Sequence, residues 1–418
     1  MRQRLVRPVS PGKAGVLPFL RTQVVLLLVS LVAAELALQV ASGASLTVRR
    51  LLAPSWDVDA SVTPDPRLVL RGNPLNRDHD AAGYRNPRRL TKADIVVLGD
   101  SQSYGPSDPR LAWPRLLSVE TGQSVYNMSL PGYGPGQSLL QLDDALSLNP
   151  GLVIVAPYFG NDFFDAYMLA LRHPELGDSL PVALWEAAAA LERQRPLEQD
   201  VRFIYELGQP SAPPQPSAAR RLIAEHVKLY GLLRALKYRF IAARTQSPLL
   251  SREFNSAARA LSPAQRQFAS PLVGPDWRTI LTAPYRGRVL DDRDPRIRFG
   301  FAIARHAVRA ISERCQAAGV DLLVVLIPTK ESVFWPRVAA PDRPPGLRQL
   351  VTDEERLRQE WISDLRASGV KYLDALDALR AAPTQPYYED VDGHPNETGQ
   401  RIIAAAVAAR LKEGGRRE

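Results

Sequence analysis

The chain is poor in the side chains that most often mark metal and redox chemistry. It has one cysteine, Cys315, and five histidines in 418 residues. A lone cysteine excludes an intramolecular disulfide framework, and Cys315 falls on a helical stripe where it serves as a small apolar residue. The histidines (His79, His173, His226, His306 and His394) form no paired His or His/Glu spacing of the zinc-site type. No internal repeat is present, which excludes a solenoid or propeller. No stripe of interleaved basic and aromatic residues occurs, so a nucleic-acid partner has no support.

Acidic residues are missing from the first 22 positions, which hold Arg2, Arg4, Arg7, Lys13 and Arg21. That head accounts for five of the formal charge of +9 and leaves about +4 on the rest, unremarkable at this size. An apolar run follows from 23 to 43, close to the roughly 20 residues that a bilayer-spanning helix needs. Basic residues before the run place the N-terminus in the cytoplasm and the body outside it. Glu35 interrupts the run, and a carboxylate at mid-membrane costs about 2.5–3.5 kcal/mol on insertion scales. A cleavable signal peptide is the alternative, with Ala41, Ser42 and Gly43 as a small-residue cleavage site. The run is long for such a leader, which favours an uncleaved anchor. The expected organisation is a basic tail (1–22), a transmembrane anchor (23–43), a linker segment (44–88) and a catalytic domain (89–418).

Prolines 64, 66, 74 and 87 break every periodic pattern in the linker. Beyond it, β-branched runs predict buried strands at 95–98, 124–128, 152–156 and 322–327, the last stopped by Pro328. Helical spacing appears at 136–148, 298–318, 353–368 and 396–411. Strands alternating with helices predict βαβ units around a parallel sheet. The stretch 163–297 breaks the rhythm. It offers helices at 182–195 and over a stripe containing Ile223, Val227, Tyr230, Leu233, Leu236 and Phe240, with a proline-rich linker at 208–217 between them. It reads as a long helical insertion after the third strand, placed to cover the active-site edge.

Four segments carry chemistry, three of them just past a predicted strand, where open α/β sheets place their ligands. Ser101, in Gly99-Asp100-Ser101, is the candidate nucleophile, because a serine at a strand-to-helix turn also presents its own N–H to a reacting carbonyl. His394 is the candidate general base and acid. Asp392 is the candidate orienting acid, with Asp390 the alternative and Glu389 a weaker one. Gly132 and Asn161 would complete an oxyanion hole, one with a backbone N–H and one with a side-chain amide. Taken alone, each segment also reads as an ordinary turn or helix cap. An α/β-hydrolase elbow requires glycine two residues after the serine, and that position is Ser103.

Together these blocks resemble the SGNH (GDSL-type) hydrolase superfamily, whose four signature residues fall on Ser101, Gly132, Asn161 and His394. The resemblance implies a flavodoxin-like α/β/α sandwich that cleaves or transfers acyl esters with no metal or cofactor. The usual last block has aspartate three residues before histidine, and here that position is Val391. The two-residue spacing of Asp392 and His394 is similar to the alginate acetyltransferase branch, which works outside the cytoplasm. It points towards a carbohydrate ester as substrate. Gly83-Tyr84-Arg85, and Ile327 to Glu331, resemble membrane-anchored bacterial members; past a strand end, Lys330 and Glu331 read either as substrate contacts or, equally well, as an ion pair or a solvated loop. The expected function is a serine esterase or acyltransferase on envelope carbohydrate, tied to the membrane by its N-terminal helix. The rival of another class is a catalytically inactive SGNH-like module that binds cell-envelope polysaccharide.

Overall fold

The computed structural model describes residues 16–199, 217–242 and 253–414. Most of the basic head and of the proline-rich stretch 208–217 lie outside the described residues. The chain divides into two units, residues 1–59 with 214–247, and residues 60–213 with 248–418. Of the stretch 163–297, then, one helical part groups with the N-terminal helices and the remainder with the sheet.

In the first unit, helix Val16–Ala44 contains a segment, Phe19–Ala44, long and apolar enough to cross a membrane. Its leucines and valines from Val24 to Val32 are exposed. Ser45 caps the next short helix, Leu46–Leu52, by accepting from the Val48 N–H. The short helix Ser55–Val58 and helices Ala218–His226 and Lys228–Ala242 also belong to this unit. The charge that marred the apolar run has partners here. The Glu35 carboxylate accepts the Lys228 and Leu229 N–H groups, each at 2.8 Å, and the Gln39 amide at 2.7 Å. Those N–H groups are two of the donors that a helix start leaves unbonded.

Among its described residues the second unit contains nine strands: β1 (Val62–Asp65), β2 (Val69–Gly72), β3 (Ile95–Gly99), β4 (Val125–Asn127), β5 (Leu152–Ala156), β6 (Ser270–Val273), β7 (Arg278–Leu281), β8 (Asp321–Leu326) and β9 (Lys371–Asp374). Strands β1/β2 and β6/β7 are antiparallel pairs, so the insertion holds a small hairpin besides its helices. The other five form one parallel sheet in the order β4-β3-β5-β8-β9. Counted along the chain this is 2-1-3-4-5, the flavodoxin-like order. Direction reverses after β4, and with right-handed crossovers a reversal puts helices on both faces. Helices Trp113–Thr121 and Glu397–Gly414 pack together as one group. Helices Pro135–Leu140, Asp162–Ala170 and Pro295–Ala317 pack as another.

Strands covered on both faces must be apolar throughout, and all five residues of β3 are buried. The edge strand β9, which the sequence did not reveal, is short and only half-buried, with Tyr372 and Leu373 between Lys371 and Asp374. The 136–148 helix is broken at Gln141 into Pro135–Leu140 and Leu142–Leu146. The 298–318 helix starts earlier, at Pro295, because Asp294 accepts the Arg296 N–H and proline suits the first turn.

Beneath the sheet, Phe159, Phe163, Phe301 and Trp361 stack edge to face, Phe163 and Phe301 at 4.8 Å between ring centres. Trp361 is fully enclosed. Replacing it, Trp361→Ala, should cost about 3–5 kcal/mol of stability, seen as a clearly lowered melting temperature of the purified protein. An unchanged melting curve would show that this cluster does not hold the layers together.

Candidate active site

The serine turn is built by its neighbours. β3 ends at Gly99, and Asp100 caps the four-residue helix Ser101–Tyr104 by accepting the Gln102 N–H at 2.9 Å. Arg85, from the Gly83-Tyr84-Arg85 block, grips the far end of that turn. Its guanidinium donates to the Gly105 carbonyl at 3.1 Å and the Ser107 carbonyl at 2.8 Å. Asn127, at the end of β4, donates to the Ser103 carbonyl at 2.8 Å.

The opposite end of the chain supplies the base. His394 Nε2 lies 2.8 Å from Ser101 Oγ, across 293 positions of sequence. Its Nδ1 meets Asp392 Oδ1, which also accepts the His394 N–H at 3.0 Å. An Nδ1–H donated to the carboxylate leaves Nε2 as the acceptor for the serine hydroxyl. Of the candidate acids, Asp392 is therefore the one on the ring. Asp390 Oδ1 instead accepts the Asp392 N–H at 2.9 Å, and Glu389 accepts the Phe254 N–H at 3.0 Å. The imidazole is 34 % exposed, open enough to meet a substrate.

Gly132 follows β4 and Asn161 follows β5, the two strands that flank β3. Gly132 has a φ of +78°, a conformation that glycine adopts without strain, and open space lies around it. The Asn161 amide donates one hydrogen to Asp165 and has a second to offer. Nucleophile, base, acid, Gly132 and Asn161 thus all sit at the C-terminal edge of the sheet, around the point where strand order reverses.

Lys330 and Glu331 differ from expectation. Both are 1 % exposed and engaged inside the protein, so neither is placed to touch a substrate. Lys330 Nζ donates to the carbonyls of Tyr388 and Asp390, each at 2.7 Å, and of Asp392 at 3.3 Å. A single ammonium therefore ties down the loop that carries the histidine. Glu331 accepts the Thr282 N–H at 2.8 Å and its hydroxyl at 3.1 Å.

Two supporting residues escaped the sequence reading. Gln400 accepts the Trp113 N–H at 2.8 Å and donates to the Gln102 carbonyl at 3.2 Å, linking the helix after His394 to the serine turn. Arg286, from the insertion, donates to the Gly160 carbonyl at 2.8 Å. It lies so close to Gly393 that a Cβ there would stand 2.5 Å from its Nη2. Neither residue belongs to a recognisable motif. The signal for Gln400 is its position one turn into a helix that Asn396 begins.

Electrostatics divide the site into two layers. Burial opposes a charge on the His394 imidazole, but the Asp392 carboxylate, by its charge and hydrogen bond, outweighs it and raises the pKa above the ordinary histidine value. Below lie three carboxyls near one another. Burial pushes Asp100 and Asp165 up to about 7 and Asp162 well above its ordinary value, with mutual repulsion adding to the last two. Burial pushes Lys330 down to about 8.

A hydroxyl, an imidazole and a carboxylate in series at the edge of a 2-1-3-4-5 parallel sheet form an arrangement suited to nucleophilic catalysis. Residues 291–417 match the family model described as the SGNH hydrolase-like domain of acetyltransferase AlgX, and this segment, with Lys330, Asp392 and His394, is SGNH hydrolase-like. No curated protein matches the sequence. Among solved structures, the chain is similar to a G-D-S-L family protein from Desulfitobacterium hafniense DCB-2 (11 % identity over 77 % of this chain and 99 % of that one, TM-score 0.34). It is also similar to a GDSL-like lipase from Bacteroides thetaiotaomicron VPI-5482 (10 % identity, 77 % and 88 %, TM-score 0.32). A third is a catalytic mutant of an acetylxylan esterase from Geobacillus stearothermophilus (9 % identity, 77 % and 95 %, TM-score 0.34).

Two measurements check this electrostatic and hydrogen-bond scheme. In Asp392→Asn, the His394 pKa followed by NMR should fall, because the imidazolium loses its anion; an unmoved pKa would mean that another group sets it. In Lys330→Met, which keeps the bulk and removes the donors, amides in 388–394 should exchange with deuterium roughly tenfold faster or more. Unchanged exchange would take the loop out of the lysine's control.

Proposed function

We propose that this protein is a serine esterase or acyltransferase, anchored in the membrane with its catalytic unit outside the cytoplasm, acting on acyl esters of envelope carbohydrate. The observation that carries the reading is the unbroken Ser101–His394–Asp392 chain of hydrogen bonds. A serine hydroxyl is a poor nucleophile at neutral pH unless a base takes its proton, and His394 Nε2, at 2.8 Å, is a nearer acceptor than Asp100 Oδ2 at 3.4 Å.

In the first half-reaction, Ser101 Oγ attacks the acyl carbonyl while its proton passes to His394 Nε2, and Asp392 stabilises the imidazolium. The oxyanion is met by the Ser101 and Gly132 N–H groups and the second amide hydrogen of Asn161. Collapse expels the alcohol oxygen, which takes the proton from His394. The Ser101 ester then yields to water in a hydrolase, or to a sugar hydroxyl in a transferase, with His394 accepting the incoming proton and returning it to Ser101.

The carbohydrate acceptor draws its support from the acetyltransferase named by the family model and from the two-residue spacing of Asp392 and His394. The extracytoplasmic side draws its support from the basic head before the apolar helix.

The test uses the purified full-length chain. Turnover of p-nitrophenyl acetate should drop on the order of 10⁴-fold or more in Ser101→Ala and in His394→Ala. A fluorophosphonate should label Ser101 in the native protein and fail to label it in His394→Ala. Equal turnover in native protein and Ser101→Ala would remove Ser101 from the mechanism. A folded native protein that neither labels nor turns over the ester would instead be a binding module.

A further inference from the structure

The apolar stripe of the insertion is not where a soluble lid would put it. A helix with one apolar face buries that face in a water-soluble fold, yet Leu233 is 65 % and Leu236 52 % exposed. Leu222, Ile223 and Val227 are exposed as well. These residues lie on helices Ala218–His226 and Lys228–Ala242, which belong to the same unit as the apolar N-terminal helix.

Contacts in that unit fix how the helices meet. The N-terminus of Lys228–Ala242 docks on Glu35, about 13 Å along the axis from the Ala44 end of the long helix. Gln39 donates to the His226 carbonyl at 2.7 Å, tying down the end of Ala218–His226. Arg234 donates to the Leu52 carbonyl at 3.0 Å, and a Cβ on Gly231 would stand 2.4 Å from that same oxygen. The helices that carry the exposed leucines therefore pack on the apolar N-terminal helix itself. The same two helices carry Arg220, Arg221, Lys228, Arg234 and Lys237 against one acid, Glu225, over 218–237. Exposed leucines together with an excess of cations make the composition of a helix that lies in a bilayer interface.

We propose that the insertion helices Ala218–His226 and Lys228–Ala242 are embedded in the lipid interface beside the N-terminal span, with Leu222, Ile223, Val227, Leu233 and Leu236 against acyl chains. The occupant of the stripe is lipid, because the helices that carry it pack on an apolar helix long enough to span a bilayer and bring an excess of cations suited to headgroup phosphates. This inference rests on reading Val16–Ala44 as a span and is independent of the chemistry at Ser101. The chain passes between the two units near residues 60, 214 and 248, so the membrane unit holds the catalytic unit by three connections.

The test reconstitutes the full-length chain in phosphatidylcholine–phosphatidylglycerol vesicles whose acyl chains carry nitroxide quenchers. The sole native thiol, Cys315, is buried, so an environment-sensitive fluorophore can be placed singly at Leu233→Cys, Leu236→Cys, Leu28→Cys and Val119→Cys. Val119 is 72 % exposed in the second unit and serves as the aqueous reference. Labels at 233 and 236 should be quenched severalfold more than the label at 119. Quenching at 28 with none at 233 and 236 overturns the inference alone, as when another protein covers the stripe. No quenching at 28 overturns the membrane-span reading and the inference with it.

Discussion

The hydrogen bond between Ser101 Oγ and His394 Nε2 joins positions near opposite ends of the catalytic unit, and much of that unit serves to let it close. The serine must sit at the end of the first sheet strand, and the histidine must return after the last. In a 2-1-3-4-5 sheet the first strand is internal, flanked by the second and third, so the ends of β4 and β5 bring Gly132 and Asn161 beside the serine turn. The final helix lies against the helix that follows the serine turn, and Gln400 fastens the two. A hydrogen bond of this length tolerates little slack, since misplacing a reacting group by about 1 Å costs on the order of 10²-fold in rate.

Much of this was legible in the sequence because the core strands are β-branched runs buried on both faces, and the site blocks follow them directly. Elements and roles that depend on tertiary packing were not. β9 has too few apolar residues to stand out from a turn, and it becomes a strand only because β8 offers a free edge. Lys330 looked like a surface cation past a strand end. Its three carbonyl acceptors lie about 60 positions further on, and no local pattern announces them. Arg286 was hidden in an insertion without motifs, although its neighbour Gly393 is a glycine that its guanidinium requires. The choice between Asp390 and Asp392 waited on loop geometry, because only coordinates show which carboxyl faces the ring.

Buried charge in this site has two different purposes. Lys330 donates its hydrogen bonds to neutral carbonyls, so its ammonium rigidifies the histidine loop and leaves the Asp392 carboxylate oxygen to the imidazole. Asp100, Asp162 and Asp165 lie too near one another for all three to ionise cheaply in a dry interior. They work as hydrogen-bonding groups: Asp100 caps the serine helix, Asp162 accepts the Tyr158 N–H at 2.9 Å, and Asp165 anchors the Asn161 amide. A carboxyl accepts such bonds whether or not it carries a proton.

The Glu35 contact bears on what a leader segment can be. A peptidase cutting near Ser42 would carry away the carboxylate that receives the Lys228 and Leu229 N–H groups, and the Gln39 amide with it. The helix of the insertion would then begin with bare donors in place of a counter-charge. The start of one helix thus depends on a carboxylate from a segment nearly two hundred positions earlier in the same polypeptide.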